Sequence, residues 1–226
     1  SRFLYPKLGF GRIPEAMAAT LPPGSIELNS PVVRLEHEGR RIRSVVCRRD
    51  GREEAFAPSH VIGTMPITDI VRGLSPAAPR EVIEAAAGLK YRDMVILFIT
   101  LNRPQVTPDH WIYFSTDDVF FGRIHEPKNW SADMAPADKT GIVVEVFCFE
   151  DEAVFQEAED SITRRTVKRL TELKLIEEGQ VNGTMVIHLK KAYPLYVRDY
   201  MARVKTVFDY MRGFENFQPA GRNGLY

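Results

Sequence analysis

The sequence predicts a mixed α/β fold, and three features support this prediction. Asp50-Gly51 separates two runs of alternating apolar and polar residues, which is a strong signal for a β-hairpin. Residues 94–101 form a near-continuous apolar run typical of a strand covered on both faces, and residues 141–149 predict another central strand. Residues 160–175 carry an apolar stripe with helical spacing. We therefore expect a mixed sheet with helices, accompanied by a β-meander.

The N-terminal part predicts one helix followed by short strands. The helix covers 12–21, with Pro14 in the first turn, where its missing N–H costs little, and Pro22-Pro23-Gly24 at its end. Strand-like pieces follow at 25–28, 32–37, 42–49, 53–57 and 60–64. The first four predict the meander, and the fifth ends at Met65-Pro66.

The remainder predicts further helices and strands. Helices are expected at 67–73, 80–88, 160–175 and 198–212. Strands are expected at 94–101, 111–114, 120–125, 141–149, 183–189 and 214–219. In the last helix, the side chains expected to face the core are Met201, Val204, Val207, Phe208 and Met211. A Gly-Arg-Asn-Gly loop at 221–224 follows the last strand.

Composition excludes several classes of partner. Thirty Lys and Arg residues balance thirty Asp and Glu residues, so no basic excess points to nucleic acid. No apolar run reaches the roughly 18 residues that a membrane span needs. Cys47 and Cys148 lie in apolar runs without metal-ligand spacing, which predicts reduced core thiols, no metal and a cytoplasmic protein.

Four stretches carry a resemblance to a known family when they are read in order. They are YPKLGFGRIPEAMAATL at 5–21, IELNSPVVRLEHEGRRIRSV at 26–45, SHVIGTMP at 59–66 and AGRNGLY at 220–226. This ordered set resembles the flavin amine oxidase superfamily, which includes protoporphyrinogen oxidases and UDP-galactopyranose mutases. A fifth stretch, FGRIHEPKNWSADMAP at 121–136, is similar to a protoporphyrinogen-oxidase-like or mutase-like branch.

The resemblance implies FAD as cofactor, but the sequence departs from the family pattern. The G-x-G-x-x-G fingerprint is absent, because Gly9-Phe10-Gly11 has no strand before it and no third glycine in phase. Leu8 stands where the family commonly has glycine, and the family continues past the position of Tyr226. We therefore expect an interior piece of a longer flavoenzyme that binds no FAD by itself.

The resemblance also implies which residues face the cofactor. The backbone of Val32 or Val33 would pair with the adenine edge, and Thr64 and Pro66 would lie on the flavin side. The Gly221, Arg222 and Asn223 segment would approach the phosphates, where glycine permits close backbone contact and arginine supplies paired donors. The alternatives are an ordinary core strand at 32–33, an ordinary strand end at 64–66 and a C-terminal tail with an unrelated cation.

A second group of residues is expected to contact the substrate. Arg123, Glu126 and Lys128, with His125 and Asn129, form a polar cluster suited to an anionic group, or alternatively a rim of surface charges.

Aromatic residues complete that group. Tyr193 and Tyr196 would wall the pocket, with aromatic core packing as the alternative. Tyr5, with Gly9 and Gly11, would form a turn beside the substrate region, or simply lead into the first helix. No nucleophile pattern is present, so no catalytic residue is assigned.

These expectations combine into a domain plan and a function. Residues 1–73 and 214–226 would belong to the FAD domain, including remnants of its Rossmann-like part, and 74–213 to a substrate domain. The full protein would be an FAD-dependent oxidoreductase that oxidises a largely apolar small molecule by hydride transfer. The alternatives are a mutase-like flavoenzyme that rearranges a nucleotide sugar and an isolated non-catalytic domain. Exposed sheet edges would favour a homodimer.

Overall fold

The computed structural model describes residues 4–226, which form two compact units. The first unit contains residues 4–25 and Asp93–Lys190, and the second contains Ile26–Arg92 and Lys191–Tyr226. These limits differ from the predicted ones at 1–73, 74–213 and 214–226, because helices from 80–87 and 200–211 pack into the same core as the meander. Which unit serves the cofactor and which the substrate stays a prediction.

The elements of the N-terminal half follow one another closely. They are α1 (Arg12–Ala18), β1 (Val32–Glu38), β2 (Arg41–Arg49), β3 (Arg52–Phe56), β4 (Val61–Gly63), α2 (Ile67–Arg72), β5 (Leu74–Ser75), α3 (Arg80–Ala87) and β6 (Lys90–Leu101). The predicted Asp-Gly hairpin is confirmed: Asp50 and Gly51 both have positive φ, as the tight turn between β2 and β3 requires.

The C-terminal half contains the longest helix and the longest strand. Its elements are β7 (Trp111–Tyr113), β8 (Arg123–His125), β9 (Thr140–Cys148), α4 (Ala153–Gln156), α5 (Glu159–Glu172), β10 (Val181–Leu195), α6 (Tyr200–Met211), β11 (Phe217–Pro219) and α7 (Gly221–Leu225). Single 3₁₀ turns lie at Pro127–Asn129, Ala132–Met134 and Glu178–Gln180.

The second unit contains two sheets. The larger has the order β3-β2-β1-β5, with β1, β2 and β3 antiparallel as a meander and β5 parallel to β1. The smaller pairs β11 with β4 in parallel. Helices α2, α3 and α6 contribute buried side chains to the core of this unit.

The first unit contains a five-stranded sheet with the order β10-β6-β9-β8-β7. One face of β6 is fully buried, because Val95, Leu97 and Ile99 share a core with Ile162 and Leu170 of α5. On the opposite face of β6, Met94 is buried but Ile96, Phe98 and Thr100 are only half-buried, so the expectation that both faces are covered is corrected for this part of the strand. We call this opposite side of the sheet the open face.

Several predicted elements need correction. Residues 25–28 form no strand, and the apolar side chains of Ile26 and Leu28 are exposed. Residues 221–224 form the short helix α7 rather than a loop. Met201 is exposed, because α6 buries only a narrow stripe that includes Val207, Phe208 and Met211.

The predicted mixed architecture of helices and sheets is confirmed. Cys47 and Cys148 are both free. None of the helices within residues 4–226 combines the length and apolarity needed to cross a bilayer. In the same described part of the chain, no group of three His, Cys, Asp or Glu side chains is arranged to hold a metal ion.

Candidate functional site

The second unit contains an open cavity of about 440 Å³ whose wall is mostly apolar. Its lining residues are Pro31, Val32, Leu35, Val45, Val61, Ile62, Gly63, Thr64, Met65, Ile70 and Phe217. The run 61–65 supplies five of them, because β4 and its continuation pass along one side. We call this space the β4 cavity.

Gly63 allows the elements around the β4 cavity to approach closely. A Cβ atom at this position would lie 2.8 Å from the Phe217 ring of β11 and 2.9 Å from the Ile70 side chain of α2. Such contacts are closer than real Cβ atoms make, so only glycine permits this packing. A larger residue would displace the ring that lines the cavity.

Helix α7 is attached to the end of β4 at the same place. The backbone N–H of Ala220 donates to the carbonyl oxygen of Gly63 over 2.9 Å. A Cβ on Gly224 would lie 2.6 Å from that same carbonyl oxygen, and one on Gly221 would lie 3.9 Å from Cβ of Thr64. The Gly221-Arg222-Asn223-Gly224 segment therefore lies directly beside the residues that line the β4 cavity.

The C-terminal side of α7 is held by hydroxyl groups. The backbone N–H of Lys90 donates to the Tyr226 hydroxyl over 3.0 Å, and the carbonyl oxygens of Lys90 and Leu195 lie 2.6 and 2.8 Å from it. The Tyr91 hydroxyl donates to the carbonyl oxygen of Asn223 over 3.3 Å. Burial, the main cause, raises the pKa of Tyr91 to about 12, so this donor stays protonated at neutral pH.

One polar side chain of α7 is available to a ligand, and a second has a buried atom without a partner. The exposed Arg222 guanidinium lies 5.0 Å from the centre of the Tyr193 ring. Asn223 donates through Nδ2 to the carbonyl oxygen of Lys191 over 3.2 Å, whereas its Oδ1 is buried and has no hydrogen-bond partner among residues 4–226. A buried acceptor without a partner is costly and calls for an explanation.

The predicted cofactor residues are partly brought together. Val32 and Thr64 line the β4 cavity, and α7 lies beside Thr64. Val33 lies at a register shift between β1 and β2, which takes it out of regular pairing. Pro66 does not line the cavity and instead forms the N-cap of α2.

The first unit presents two rows of side chains on its open face. Strand register places Trp111, His125, Val143 and Phe98 side by side in one row, because directly paired residues share a face of a sheet. The neighbouring row is Tyr113, Arg123, Glu145 and Ile96.

Arg123 is engaged in an ion pair on this face. Its Nη2 lies 2.5 Å and its Nε lies 2.8 Å from Oε2 of Glu145, whose side chain is 6% exposed. The guanidinium also lies 5.7 Å from the centre of the Tyr113 ring. The charge of Arg123 is therefore balanced by Glu145. Direct contact of Arg123 with a substrate stays a prediction.

Glu126 is almost completely buried, and protein donors occupy its carboxylate. Backbone N–H groups of Val106 and Thr107 donate to it over 3.0 Å each, and the Thr140 hydroxyl donates over 2.5 Å. Glu126 therefore fastens three chain segments together.

Lys128 has a comparable internal role. Its Nζ lies 2.7 to 3.0 Å from four backbone carbonyl oxygens, those of Pro104, Pro136, Ala137 and Lys139. An ammonium group has only three hydrogens to donate, so its capacity is filled. Glu126 and Lys128 thus fix the loop between β8 and β9, and direct substrate binding by either stays a prediction.

The predicted aromatic residues lie in different units. Tyr5 packs on Trp130 with ring centres 5.5 Å apart, in the first unit. Tyr196 is exposed and packs on Tyr200 at 4.7 Å, in the second unit, where Tyr193 lies against Arg222. The contact of these tyrosines with a substrate stays a prediction.

His125 is a titratable group on the open face. The sequence predicted it only as a member of the polar cluster around Arg123. Burial, and secondarily the charge of Arg123, lowers its pKa to about 4. Its Nδ1 lies 3.5 Å from Oε1 of Glu145, but Arg123 already neutralises that carboxylate, so burial decides the direction of the shift. The imidazole is therefore neutral at pH 7.

The low pKa of His125 predicts a stability change in acid. The unfolded state binds a proton near pH 6.5 while the folded state does not, so stability should fall as the pH drops from 6.5 to 4. Solvent screening at this incompletely buried site should keep the loss to about 1 to 2 kcal/mol. Urea unfolding followed by Trp130 fluorescence, whose ring lies 5.1 Å from His125, measures it. His125→Phe should remove this part of the pH dependence and the exposed His60→Gln should not; equal profiles for all three proteins would contradict the assignment.

The family assignment follows from the sequence as a whole. Residues 2–225 match the family model described as flavin containing amine oxidoreductase. The chain belongs to this family. The superfamily predicted from the four ordered stretches is thereby confirmed. No curated protein matches the sequence at a significant level.

Solved structures of related fold agree with the flavin amine oxidoreductase assignment. A reduced UDP-galactopyranose mutase superposes with a TM-score of 0.79 at 16% identity, over 97% of this chain and 47% of its own. A structure named as a protoporphyrinogen oxidase, from Exiguobacterium sp. 255-15, gives 0.72 at 15% identity, over 95% and 46%. A putrescine oxidase double mutant gives 0.55 at 14% identity, over 79% and 38%. The chain thus spans about half the length of the first two.

Sequence reasoning missed several residues of this flavin amine oxidoreductase fold that shape the candidate site. Gly63 and Gly224 set the approach of α7 to β4, and Tyr226 fastens α7. A glycine just before Thr64, and a second glycine three residues after Gly221, were the available signals. The contact of Gly63 with Gly224 joins positions 161 residues apart in the chain, which local patterns do not reveal.

Proposed function

We propose that the chain is part of an FAD-dependent oxidoreductase that oxidises a largely apolar substrate, and that its second unit holds part of the cofactor. One observation carries the proposal: the β4 cavity is bordered by Val32 and Thr64 and lies beside the glycine-containing α7. These are the positions that the family resemblance assigns to FAD.

The residues around the β4 cavity suit a dinucleotide. Aliphatic walls accept a flat ring, and the bulge at Val33 leaves backbone groups outside the ladder to pair with a ring edge. Beside Thr64, Gly221 has φ +73° and no side chain to obstruct a phosphate. The exposed Arg222 would supply charge-assisted hydrogen bonds to a phosphate.

The chemistry would be divided between the cofactor and the chain. Bound FAD supplies the capacity to accept a hydride from a substrate carbon. The chain's residues would position the cofactor and exclude water. Val32 and Phe217, which line the cavity, would cover apolar ring surface, and Thr64 would contact polar atoms at the cavity's edge. We assign no catalytic side chain.

The apolar character of the substrate is supported by the first unit. Its open face carries Phe98, Val143 and Trp111 in one row, and Arg123 in the neighbouring row is neutralised by Glu145. A mutase would need several arginines converging on a diphosphate, and the pairing of Arg123 does not favour that alternative.

Substitution of Arg222 tests the cofactor assignment in the complete protein. Loss of a charged hydrogen-bond partner worth about 1.5 to 3 kcal/mol should weaken FAD binding by roughly 10- to 100-fold for Arg222→Gln. Titration of the apoprotein with FAD, followed by flavin fluorescence, measures this change. The matched control is Arg52→Gln, on an exposed position of β3 in the same unit.

Two outcomes would refute the proposal. Absence of flavin absorption bands from the complete protein would reject the flavoenzyme assignment. Alternatively, Arg222→Gln and Arg52→Gln could bind FAD equally well, which would reject the role of α7. Dye reduction with apolar substrates, compared with turnover of a nucleotide sugar, then separates the oxidoreductase from the mutase.

We also propose a cytoplasmic location and a homodimeric assembly. Two free cysteines suit a reducing compartment and support a cytoplasmic location. Exposed apolar side chains along the sheet-edge strand β10, including Met185 and Ile187, support a homodimer.

A further inference from the structure

The first unit contains a smaller cavity, of about 240 Å³, on the open face of its sheet. Phe98 of β6 and the loop residues Pro127, Met134 and Pro136 provide its apolar wall. Gly141 forms part of the wall without a side chain, since a Cβ there would lie 2.8 Å from the Phe98 ring. The volume corresponds to roughly eight water molecules and hence to a ligand of similar non-hydrogen atom count.

The charge around this cavity is positive. Lys128 and Lys139 line it, and no acidic residue does. The Lys128 ammonium is saturated by carbonyl oxygens, whereas the Lys139 ammonium makes no ion pair within residues 4–226. The nearby carboxylate of Glu126 is directed to the Thr140 hydroxyl and to backbone donors. An apolar space lined by a lysine that forms no ion pair among residues 4–226 disfavours an amine and suits a carboxylate.

We propose that this cavity binds a small carboxylate with an unbranched or flat apolar body, and that Lys139 is its counter-ion. We further identify this carboxylate as one end of the enzyme's substrate, and that identification rests on the proposed function. The binding itself does not, because no residue of the β4 cavity takes part in it.

The cavity also has a built-in limit on ligand length. Gly9 is buried with φ +99°, and a Cβ on it would lie 2.9 Å from Sδ of Met134. The 130–134 segment is further tied to residues 5–9 through the ring contact of Tyr5 with Trp130 and the 3.8 Å ion pair of Lys7 with Asp133. Met134 is therefore backed by the 5–9 segment, and its side chain closes one side of the cavity.

Titration with matched six-carbon probes tests the proposal on the full chain without added flavin. Hexanoate, hexylamine and 1-hexanol are compared by calorimetry and by NMR of ¹³C-labelled methionine methyl groups. We expect hexanoate to shift the Met134 methyl signal and to bind about tenfold more tightly than hexylamine. Lys139→Gln should reduce hexanoate binding by about tenfold, whereas Lys168→Gln, on the exposed face of α5, should leave it unchanged.

Shortening Met134 tests the limit on ligand length. Decanoate should bind poorly to the unmodified chain and about tenfold more tightly to Met134→Ala, because the thioether no longer closes the cavity. Hexylamine binding as tightly as hexanoate, hexanoate binding unaffected by Lys139→Gln, or an unmoved Met134 signal would each overturn the proposal. If Arg222→Gln loses FAD binding but still binds hexanoate, the carboxylate site in the first unit is independent of the cofactor site at the β4 cavity.

Discussion

Replacement of Glu126 by alanine should lower the free energy of unfolding of the first unit by about 3 to 5 kcal/mol. Glu126 is only 1% exposed. The variant removes the carboxylate that accepts hydrogen bonds from two backbone N–H groups and from the Thr140 hydroxyl. Each buried donor left without a partner costs about 1 to 3 kcal/mol, and partial entry of water would keep the total below the sum. A domain stabilised by only about 5 to 15 kcal/mol would lose a large share of its stability.

Denaturant unfolding followed by tryptophan fluorescence measures this effect. Trp111 and Trp130 are the chain's two tryptophans, and both belong to the first unit, so the signal reports on that unit. Glu126→Gln keeps one oxygen acceptor and should lose about 1 to 2 kcal/mol. Glu178→Ala, on an exposed 3₁₀ turn, should change little. A loss below about 1 kcal/mol for Glu126→Ala would show that this carboxylate does not hold the loop.

The variant Gly224→Ala should detach α7 from the end of β4. In an ordinary exposed helix this change would add about 1 kcal/mol of stability, because alanine is the better helix former. Here the new Cβ would lie 2.6 Å from the carbonyl oxygen of Gly63, which is backbone and cannot rotate away. Overpacking of this kind costs about 1 to 3 kcal/mol, so we expect a net loss despite the gain in helix propensity.

Hydrogen–deuterium exchange of the C-terminal peptide measures that detachment. The Ala220 amide, which donates to Gly63, should exchange about tenfold faster in Gly224→Ala, and FAD binding by the complete protein should weaken in parallel. Gly179→Ala is the matched control, since no described atom lies within 4 Å of a Cβ at that position. Unchanged protection of Ala220 in Gly224→Ala would mean that α7 is not held by this contact.

The sequence by itself determined the family and most of the architecture. Alternation around Asp50-Gly51 predicts a hairpin because side chains on a strand alternate with period two, and the glycine accepts the required backbone angles. The helical stripe of α5, including Ile162 and Leu170, is buried as its spacing predicts. Such local patterns depend on neighbours within a few residues, and a sequence displays those directly.

Only the tertiary structure decided what the polar residues do. Glu126 and Lys128 look like substrate ligands in the sequence, yet their partners at Val106, Pro104 and Pro136 are brought to them by the folded loop. Likewise, Gly224 matters because Gly63, 161 positions earlier, lies against it. A hydrogen bond or a close contact depends on distance in space, and the separation of residues along the chain does not fix that distance.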